Sequence, residues 1–407
     1  MIFSTSSSSR LRRFCGIAVL TAGVLLSGCA SWKGGPEEAG RADSSSSKTA
    51  AASDGDLIAV LPIDNLTGTN APLEIVETAL REHLDRSGLR IVDGDSLARV
   101  MKRYRIRNTG ALDERTFRAL KEETGATGIL ITSLEGYADD SPPKLALMSR
   151  LVVVGDRPEI AWMDGIGLDG GAHPGLLGIG RIGQIDELVE LAAGCLVNSM
   201  ASSVFGPQTT APAQSRSEWT RCDSRGDVVR SAAGVLEEHK YQPRNTFRSP
   251  ILDTDRRSSV AVIPFLNLSQ KKNAGKILEL HFVNQLLRNT SLAVTEPGLV
   301  TEALLAHRAV MEAGPSLENA EALTSDDSLG VDLVLSGVVF DYQDGIGIPK
   351  VDFSVTIIDK ENRKIVWSSR SDSTGDEGVF FFDLGTVYTA HQLAADMARA
   401  TSEALSR

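Results

Sequence analysis

The chain contains an internal repeat, and this repeat limits the folds that it can adopt. Residues 58–67 read IAVLPIDNLT, and residues 260–269 read VAVIPFLNLS. Each segment is typical of a buried strand that ends at a proline, because proline cannot donate to a strand ladder, followed by a polar turn. In these turns we expect Asn65 and Asn267 to hydrogen-bond to nearby backbone, as asparagine readily does.

The two copies continue in the same way after the turn. Second helices are predicted to begin near Ser96 and Thr301, since serine and threonine are good N-cap residues. Before them, apolar residues recur at helical spacing in both copies. These residues are Leu73, Val76, Ala79, Leu80 and Leu84 in the first copy, and Ile277, Leu280, Val283, Leu286 and Leu287 in the second.

Strand signals and a final helix complete each copy. β-rich runs at residues 125–137 and 330–342 lead through hairpins to Trp162 and Trp367. Their recurrence favours a packing role over ligand stacking. The predicted fold class is α/β, with two tandem copies of a β-α-β-α-β-β-β-α domain. Each would hold a mixed sheet, parallel where a helix crosses over and antiparallel at the terminal hairpin.

The chain has 407 residues, which is too long for one ordinary core. Residues 30–54 are rich in Ser, Ala, Gly and Lys and lack an apolar period, so they are typical of a disordered tether. The predicted organisation is a signal peptide at 1–28, a tether at 29–54, a first domain at 55–206, a linker at 207–258 and a second domain at 259–407.

The amino-terminal segment has the pattern of a secretory signal. Three arginines precede an apolar stretch at residues 14–26, which is too short to span a bilayer, and LSGC follows at residues 26–29. This ending resembles the lipobox of bacterial lipoproteins. The resemblance implies cleavage after Gly28 and acylation of Cys29, with palmitate among the expected chains. Ala30 follows, with no aspartate after the cysteine, which in Gram-negative lipoproteins favours the outer membrane; we expect the protein to face the periplasm.

The repeated motifs resemble one group of envelope domains. The Ala-Val-x-Pro-x-x-Asn-Leu opening, the β-rich run and the Ile-x-Trp hairpin end are similar to the curli secretion lipoprotein CsgG, the amino-terminal domain of TolB, and lipoproteins that activate peptidoglycan synthases. The resemblance implies an α/β module on a lipid anchor that assembles with itself or with envelope partners. The expected function is therefore a non-enzymatic binding or assembly module.

An export-channel subunit is the alternative within the same resemblance. The secretion lipoprotein builds its pore from long amphipathic hairpins, whereas the corresponding connections here, at residues 138–144 and 344–350, have room only for loops. A binding or assembly module is therefore favoured, with the export-channel subunit kept as the alternative. Conductance in planar bilayers would distinguish the two.

Two surface features are candidate partner-binding sites. The net charge of −11 argues against nucleic acid as a partner. Positive charge is nevertheless concentrated in a basic run that could bind envelope glycan or an acidic protein face, with a solvated helix face as the alternative. A triple phenylalanine is either an exposed interface or buried under the last helix. The residues are Arg99, Lys102, Arg103, Arg105 and Arg107 for the basic run, and Phe380, Phe381 and Phe382 for the aromatic patch.

Signals for catalysis, metals and cofactors are weak or missing. The six histidines show no H-x-x-x-H spacing, so the sequence predicts no metal site. A G-x-G-x-x-G match at residues 178–183 precedes a predicted helix, but the second copy lacks it, so a connector is favoured over a nucleotide loop and no cofactor is expected. Cys195 and Cys222 could pair in an oxidising envelope; otherwise Cys195 is a small core residue.

The lipid prediction can be tested on the mature protein. Mass spectrometry should find an amino terminus at Cys29 that carries fatty acid, because acylation of this thiol precedes cleavage in lipoproteins. The Cys29→Ser variant should lose both the fatty acid and the cleavage before residue 29. The Cys15→Ser variant should keep both, since Cys15 leaves with the signal. A mature terminus upstream of Cys29 would contradict the anchor.

Overall fold

In each copy of the repeat, helices pack on both faces of one mixed sheet. The computed structural model describes residues 57–172, 181–204, 241–252, 257–311, 313–345, 347–377 and 386–406. The predicted signal peptide, Gly28, Cys29 and the tether lie outside the described residues. No helix among the described residues is both long and apolar enough to cross a membrane.

In the described part of the first copy there are six strands and four helices. Its strands are β1 (Leu57–Val60), β2 (Asp64–Asn65), β3 (Arg90–Ile91), β4 (Gly128–Ala138), β5 (Lys144–Val154) and β6 (Pro158–Asp169). Its helices are α1 (Leu73–Arg86), α2 (Gly94–Tyr104), α3 (Glu114–Thr124) and α4 (Ile185–Val204). The sheet order is β3-β1-β4-β5-β6, and β2 also pairs with β4. Strand β1 runs parallel to β3 and β4, whereas β4, β5 and β6 are antiparallel.

The second copy repeats this topology and adds an edge strand. Its strands are β7 (Arg244–Arg248), β8 (Ser259–Val262), β9 (Leu266–Asn267), β10 (Ala293–Val294), β11 (Leu333–Gln343), β12 (Lys350–Asp359) and β13 (Lys364–Thr374). Its helices are α5 (Ala274–Asn289), α6 (Pro297–Ala306), α7 (Leu317–Thr324) and α8 (Ala390–Ser406). The sheet order is β10-β8-β11-β12-β13-β7, with β9 pairing with β11.

The predicted α/β class with two mixed sheets is confirmed, and several details differ. Each copy has one further helix, α3 or α7, and one further short strand, β2 or β9. The second helices begin at Gly94 and Pro297 rather than near Ser96 and Thr301. The acidic side chains of Asp93 and Glu296 cap them instead, by accepting from backbone N–H groups of the first turn.

Part of the predicted linker belongs to the second sheet. Strand β7 pairs antiparallel with β13 through Phe247 and its neighbours. The sequence of this strand is polar, and four of its five residues are exposed. It has the character of an edge strand, which needs only one neighbour to satisfy half of its backbone groups. The domain boundaries themselves remain predictions.

The polar turns after the first strands are the same in both copies. Asn65 donates from Nδ2 to the Thr69 carbonyl at 2.8 Å and accepts from the Thr67 backbone at 3.0 Å. Asn267 repeats both bonds with Lys271, at 2.7 Å, and Ser269, at 3.0 Å. The predicted capping role of the two asparagines is confirmed. Trp162 and Trp367 are also buried in the cores, at 6% and 2% exposure, which confirms their packing role.

Two helices of the second copy lie between the two sheets. One core combines residues of α5 and α8 with Val262, Val355 and other residues of their own sheet, and it also contains Leu66, Met148 and Met163 of the first copy. By contrast, α1 and α4 pack on the first sheet alone. Helices α2 and α3, and α6 and α7, cover the opposite faces of their sheets. The two copies therefore share one apolar core.

Burial on both sides explains the sequence of α5. Residues 277–286 of this helix are all buried, whereas α1 buries one stripe of residues. A helix whose middle has no solvent-exposed face is typical of a position inside the protein. At its start, Gly275 lies so close to the preceding loop that an added Cβ would be 2.0 Å from the Phe265 carbonyl oxygen. Only glycine allows this approach of helix and loop.

The close contact between Gly275 and Phe265 predicts that adding one methyl group at Gly275 lowers the stability of the protein. Gly275→Ala should lower the free energy of unfolding by about 1–3 kcal/mol, because the loop must move to admit the new Cβ. The control is Gly94→Ala at the start of α2, where an added Cβ meets nothing within 4 Å. That variant should be as stable as the parent or slightly more stable, since alanine is the better helix former. Urea unfolding measures both, and equal stabilities would contradict the contact.

Candidate functional site

A β-bulge directs one acidic side chain of the first copy toward the second. The pairing of β4 with β5 shifts between Leu134 and Gly136, so Glu135 has no partner in the register. Bulges change the direction of a side chain and often occur next to functional sites. The second copy has the same shift between Val339 and Asp341. The fold therefore provides the bulge twice, and only the first copy places a carboxylate there.

Glu135 meets two histidines of the second copy and forms with them a buried cluster. His391, in the first turn of α8, places Nδ1 2.6 Å from Glu135 Oε2. His281, in the middle of α5, places Nε2 3.3 Å from the same oxygen. The two imidazole rings lie 4.6 Å apart at 63°. The exposed fractions of Glu135, His281 and His391 are 1%, 0% and 3%. We call these three residues the inter-copy cluster.

Two glycines of β6 make room for this arrangement. A Cβ at Gly165 would lie 2.8 Å from His391 Cε1, and one at Gly167 would lie 3.1 Å from His391 Cβ. In the second sheet, the register places Arg370 and Asp372 at the corresponding positions. Glycine in the first copy thus allows α8 to approach the sheet, whereas the second copy carries long charged side chains there.

Burial and mutual electrostatic interactions shift the pKa values of Glu135 and His281. Burial raises the pKa of Glu135, but the two neighbouring histidines outweigh it and lower this pKa to about 2. Burial lowers the pKa of His281, and the nearby Glu135 carboxylate opposes that change. The carboxylate is therefore ionised at neutral pH, in an interior that contains few charges.

Several polar atoms of the cluster lack hydrogen bonds. Within the described residues, Glu135 Oε1 and both ring nitrogens of His281 have no hydrogen-bond partner. The 3.3 Å approach of His281 Nε2 to the carboxylate therefore lacks hydrogen-bond geometry. Because more than nine in ten buried polar groups are paired, three such atoms in one cluster require an explanation.

A shell of polar contacts surrounds the cluster. Lys271 donates to the Glu135 carbonyl at 2.9 Å, and its Nζ lies 3.9 Å from Asp344. Burial raises the pKa of Asp344, while Lys271 and the backbone N–H of Ala390 lower it. Burial also raises the pKa of Tyr342, with Asp344 and Glu135 adding to the effect. The shell thus joins both copies around the same point.

A second buried contact between the copies is an ion pair. Arg150 of β5 donates to Glu296 Oε1 from Nε at 3.0 Å and from Nη2 at 2.8 Å. The same carboxylate caps α6 by accepting from Gly298 and Leu299. Arg150 also donates to the Gly110 carbonyl at 2.9 Å. Each charge of this pair therefore has partners in both copies, which offsets the cost of removing it from water.

Two less buried ion pairs also join the copies. Lys276 contacts Asp64 at 2.8 Å, and Arg288 contacts Asp164 at 2.7 Å. All of these contacts join a residue of the first copy to one of the second. Together with the shared core, they hold the two copies in one arrangement.

The residues of the predicted basic run lie on the surface. Its five residues are all exposed, on α2 and the loop that follows. Arg103 pairs with Glu123 at 2.7 Å, and Arg99 donates to the Ser96 hydroxyl at 2.9 Å. Exposure agrees with both predicted interpretations, a docking surface and a solvated helix face. Its binding role remains a prediction.

The other predicted sites are only partly described. Phe380, Phe381, Phe382 and residues 178–180 of the glycine-rich segment lie outside the described residues, although a helix, α4, follows this segment from Ile185. Cys195 is disulfide-bonded. Its partner also lies outside the described residues, so pairing with Cys222 remains a prediction.

Histidine spacing could not indicate the inter-copy cluster, because its members come from three separate elements. A weaker signal was present. His281 lies among the apolar residues Leu280, Phe282 and Val283, and β6 carries Gly165 and Gly167 where the second copy has charged residues. A histidine in such a run is expected to be buried, and a gap made by glycines must be filled by another element.

Comparisons with known proteins identify no family. No protein-family model and no curated protein matches the chain. Solved structures that match include the PelC dodecamer from Paraburkholderia phytofirmans, at 18% identity and TM-score 0.27, over 39% of this chain and 94% of that chain. The lipoprotein GNA1162 from Neisseria meningitidis matches at 21% identity and TM-score 0.25, over 29% and 82%.

The LpoB C-terminal domain from Salmonella enterica matches at 12% identity and TM-score 0.24, over 31% of this chain and 87% of that chain. These structural neighbours include a bacterial lipoprotein, but the TM-scores are too low to support a conclusion about function. CsgG and TolB are not among the structures named here, so the resemblance to that group remains a prediction.

The buried ion pair gives a prediction about stability. Glu296→Gln should lower the free energy of unfolding by about 3–5 kcal/mol, because the Arg150 charge is left in the interior without a carboxylate. The control is Glu82→Gln, which removes the exposed partner of Arg86 and should cost less than about 1 kcal/mol. Urea unfolding compares the two variants. A loss for Glu296→Gln as small as the control would show that the pair does not hold the copies together.

Proposed function

We propose that the protein is a non-catalytic binding and assembly module of the bacterial cell envelope, held at the outer membrane by lipid on Cys29 and facing the periplasm. The lipobox pattern supports the anchor. Confinement to a membrane surface raises the effective concentration of a module for partners on the same surface. The mechanism is therefore localisation combined with binding.

The proposal rests on one observation: the ionisable residues in the interior are buried, with almost no access to solvent. Glu135, His281, His391, Arg150 and Glu296 are each at most 3% exposed, and their contacts join one copy to the other. Catalytic and ligand sites are usually accessible clefts or cavities. This arrangement supports a rigid body made of two copies, in which buried charge holds the copies together rather than transforming a substrate.

A rigid body of this kind presents its surfaces at fixed positions, and the basic run is the surface that fits a partner best. Lys102, Arg105 and Arg107 form no ion pair within the described residues, although the protein as a whole is acidic. The matching region of the second copy has only His307 and Arg308. We propose that this surface attracts an anionic partner, with envelope glycan as the first candidate and an acidic protein face as the second.

Charge reversal tests this surface. The variant Arg99→Glu/Lys102→Glu/Arg107→Glu should lose co-sedimentation with purified peptidoglycan, because repulsion replaces attraction. The matched control Arg257→Glu/Arg308→Glu/Lys364→Glu changes the charge equally at exposed positions of the second copy and should still sediment. Binding of the parent should weaken as salt is raised, since exposed charges are screened over about 10 Å at 0.1 M salt.

Equal sedimentation of both variants would exclude the basic run as the glycan site. Cross-linking in intact cells followed by mass spectrometry then distinguishes an acidic protein partner. Cross-links through Lys102 to an envelope protein would support that candidate, and their absence would remove the basic run as a binding surface.

A further inference from the structure

The inter-copy cluster has the donor set of a transition-metal site. It offers two imidazoles and one carboxylate, and one ligand atom from each residue lies within 4.8 Å of the others. Imidazole and carboxylate together are ligands that Zn²⁺ accepts readily. We propose that Glu135, His281 and His391 bind one divalent transition-metal ion, with Zn²⁺ as the expected metal. This inference does not depend on the envelope role or on the lipid anchor.

The unpaired atoms are the independent observation that points to a ligand. His281 is fully buried, and neither of its ring nitrogens has a hydrogen-bond partner within the described residues; Glu135 Oε1 also lacks one. Burying a polar group without a partner destabilises the folded state. A cation between the three side chains would provide a partner for an imidazole nitrogen and the carboxylate at once, and it would balance the buried negative charge.

Two of the three ligand-atom distances are known individually, and the third, between His281 and His391, is within 4.8 Å. Zinc–nitrogen bonds of about 2.0–2.1 Å place tetrahedral ligand atoms about 3.3 Å apart. His281 Nε2 is already 3.3 Å from Glu135 Oε2, whereas His391 Nδ1 is 2.6 Å from it and must move away by about 0.7 Å. His391 lies in the first turn of α8 and Glu135 in a bulge, so side-chain rotation at either end provides this movement. A water molecule can complete the coordination.

Burial decides what kind of metal site this would be. Three protein ligands and a water are the donor set of catalytic zinc sites, but those sites keep a position open to substrate, whereas structural zinc sites are closed. Because all three ligands are at most 3% exposed, the ion would act as a clamp between β4 of the first copy and two helices of the second. An ion that binds only the folded, paired state stabilises that state by mass action.

The test uses the full-length protein purified in detergent, treated with a chelator and then titrated with ZnCl₂. The parent should bind one ion per chain and melt at a higher temperature when zinc is present. His281→Gln and His391→Gln should each lose stoichiometric binding and the rise in melting temperature. The matched control is His83→Gln, which alters a surface histidine that also contacts a carboxylate, Glu190, at 3.1 Å. This control should bind zinc like the parent.

A second measurement keeps the proposal testable if the buried variants do not fold. X-ray absorption of the zinc-loaded parent should show two imidazoles in the first shell, and Co²⁺ in place of zinc should give the visible absorption of a low-symmetry, four-coordinate ion. The proposal would be overturned by a parent that binds no stoichiometric ion, by a first shell without two imidazoles, or by folded His281→Gln and His391→Gln variants that bind like His83→Gln.

Discussion

The structure depends on the burial of α5 and α8 between two sheets. These helices cover their own sheet with one face and contact the first sheet with the other, and a single core contains residues of both copies. Such a position removes every solvent-facing surface from the middle of α5. Of the buried polar residues on that helix, Asn284 and Gln285 hydrogen-bond within α5, whereas His281 lies beside Glu135 of the first copy. The shared core, the inter-copy cluster and the Arg150–Glu296 pair are consequences of one packing arrangement.

The two copies show how one fold serves two environments. Both sheets have a bulge at the same place, with Glu135 in the first copy and Phe340 in the second. Glu135 is buried against two histidines, whereas Phe340 lies under the guanidinium of Arg370, at 4.2 Å from its ring centroid. Arg370 in turn pairs with Asp352 at 2.8 Å. The same surface is therefore an interface in one copy and a polar, partly exposed face in the other, and the function proposed for the protein rests on this asymmetry.

Elements with strong local patterns were predictable. The first strands, the amphipathic helix α1, the asparagine turns and the tryptophan hairpins follow from residues that are close in sequence. Helices α3 and α7 are short, at 11 and 8 residues, and apolar spacing alone does not predict them, although Asp113 and Ser316 cap their first turns. The starts of α2 and α6 differ from those predicted near Ser96 and Thr301 because Asp93 and Glu296 are the caps. Strand β7 has a polar sequence and is stabilised by pairing with β13.

The sequence by itself determined that the chain is duplicated, that each copy is an α/β unit with a mixed sheet, and which apolar residues of α1 and of the first strands are buried, because strand and helix periodicity act over a few residues. It also carries the lipobox pattern on which the predicted anchor rests. Only the tertiary structure decided that Glu135 meets His281 and His391, and that Arg150 meets Glu296. Those residues come from elements far apart in the chain, and their distances depend on how the second copy packs on the first, where glycines, a bulge and a helix buried on all sides must fit together.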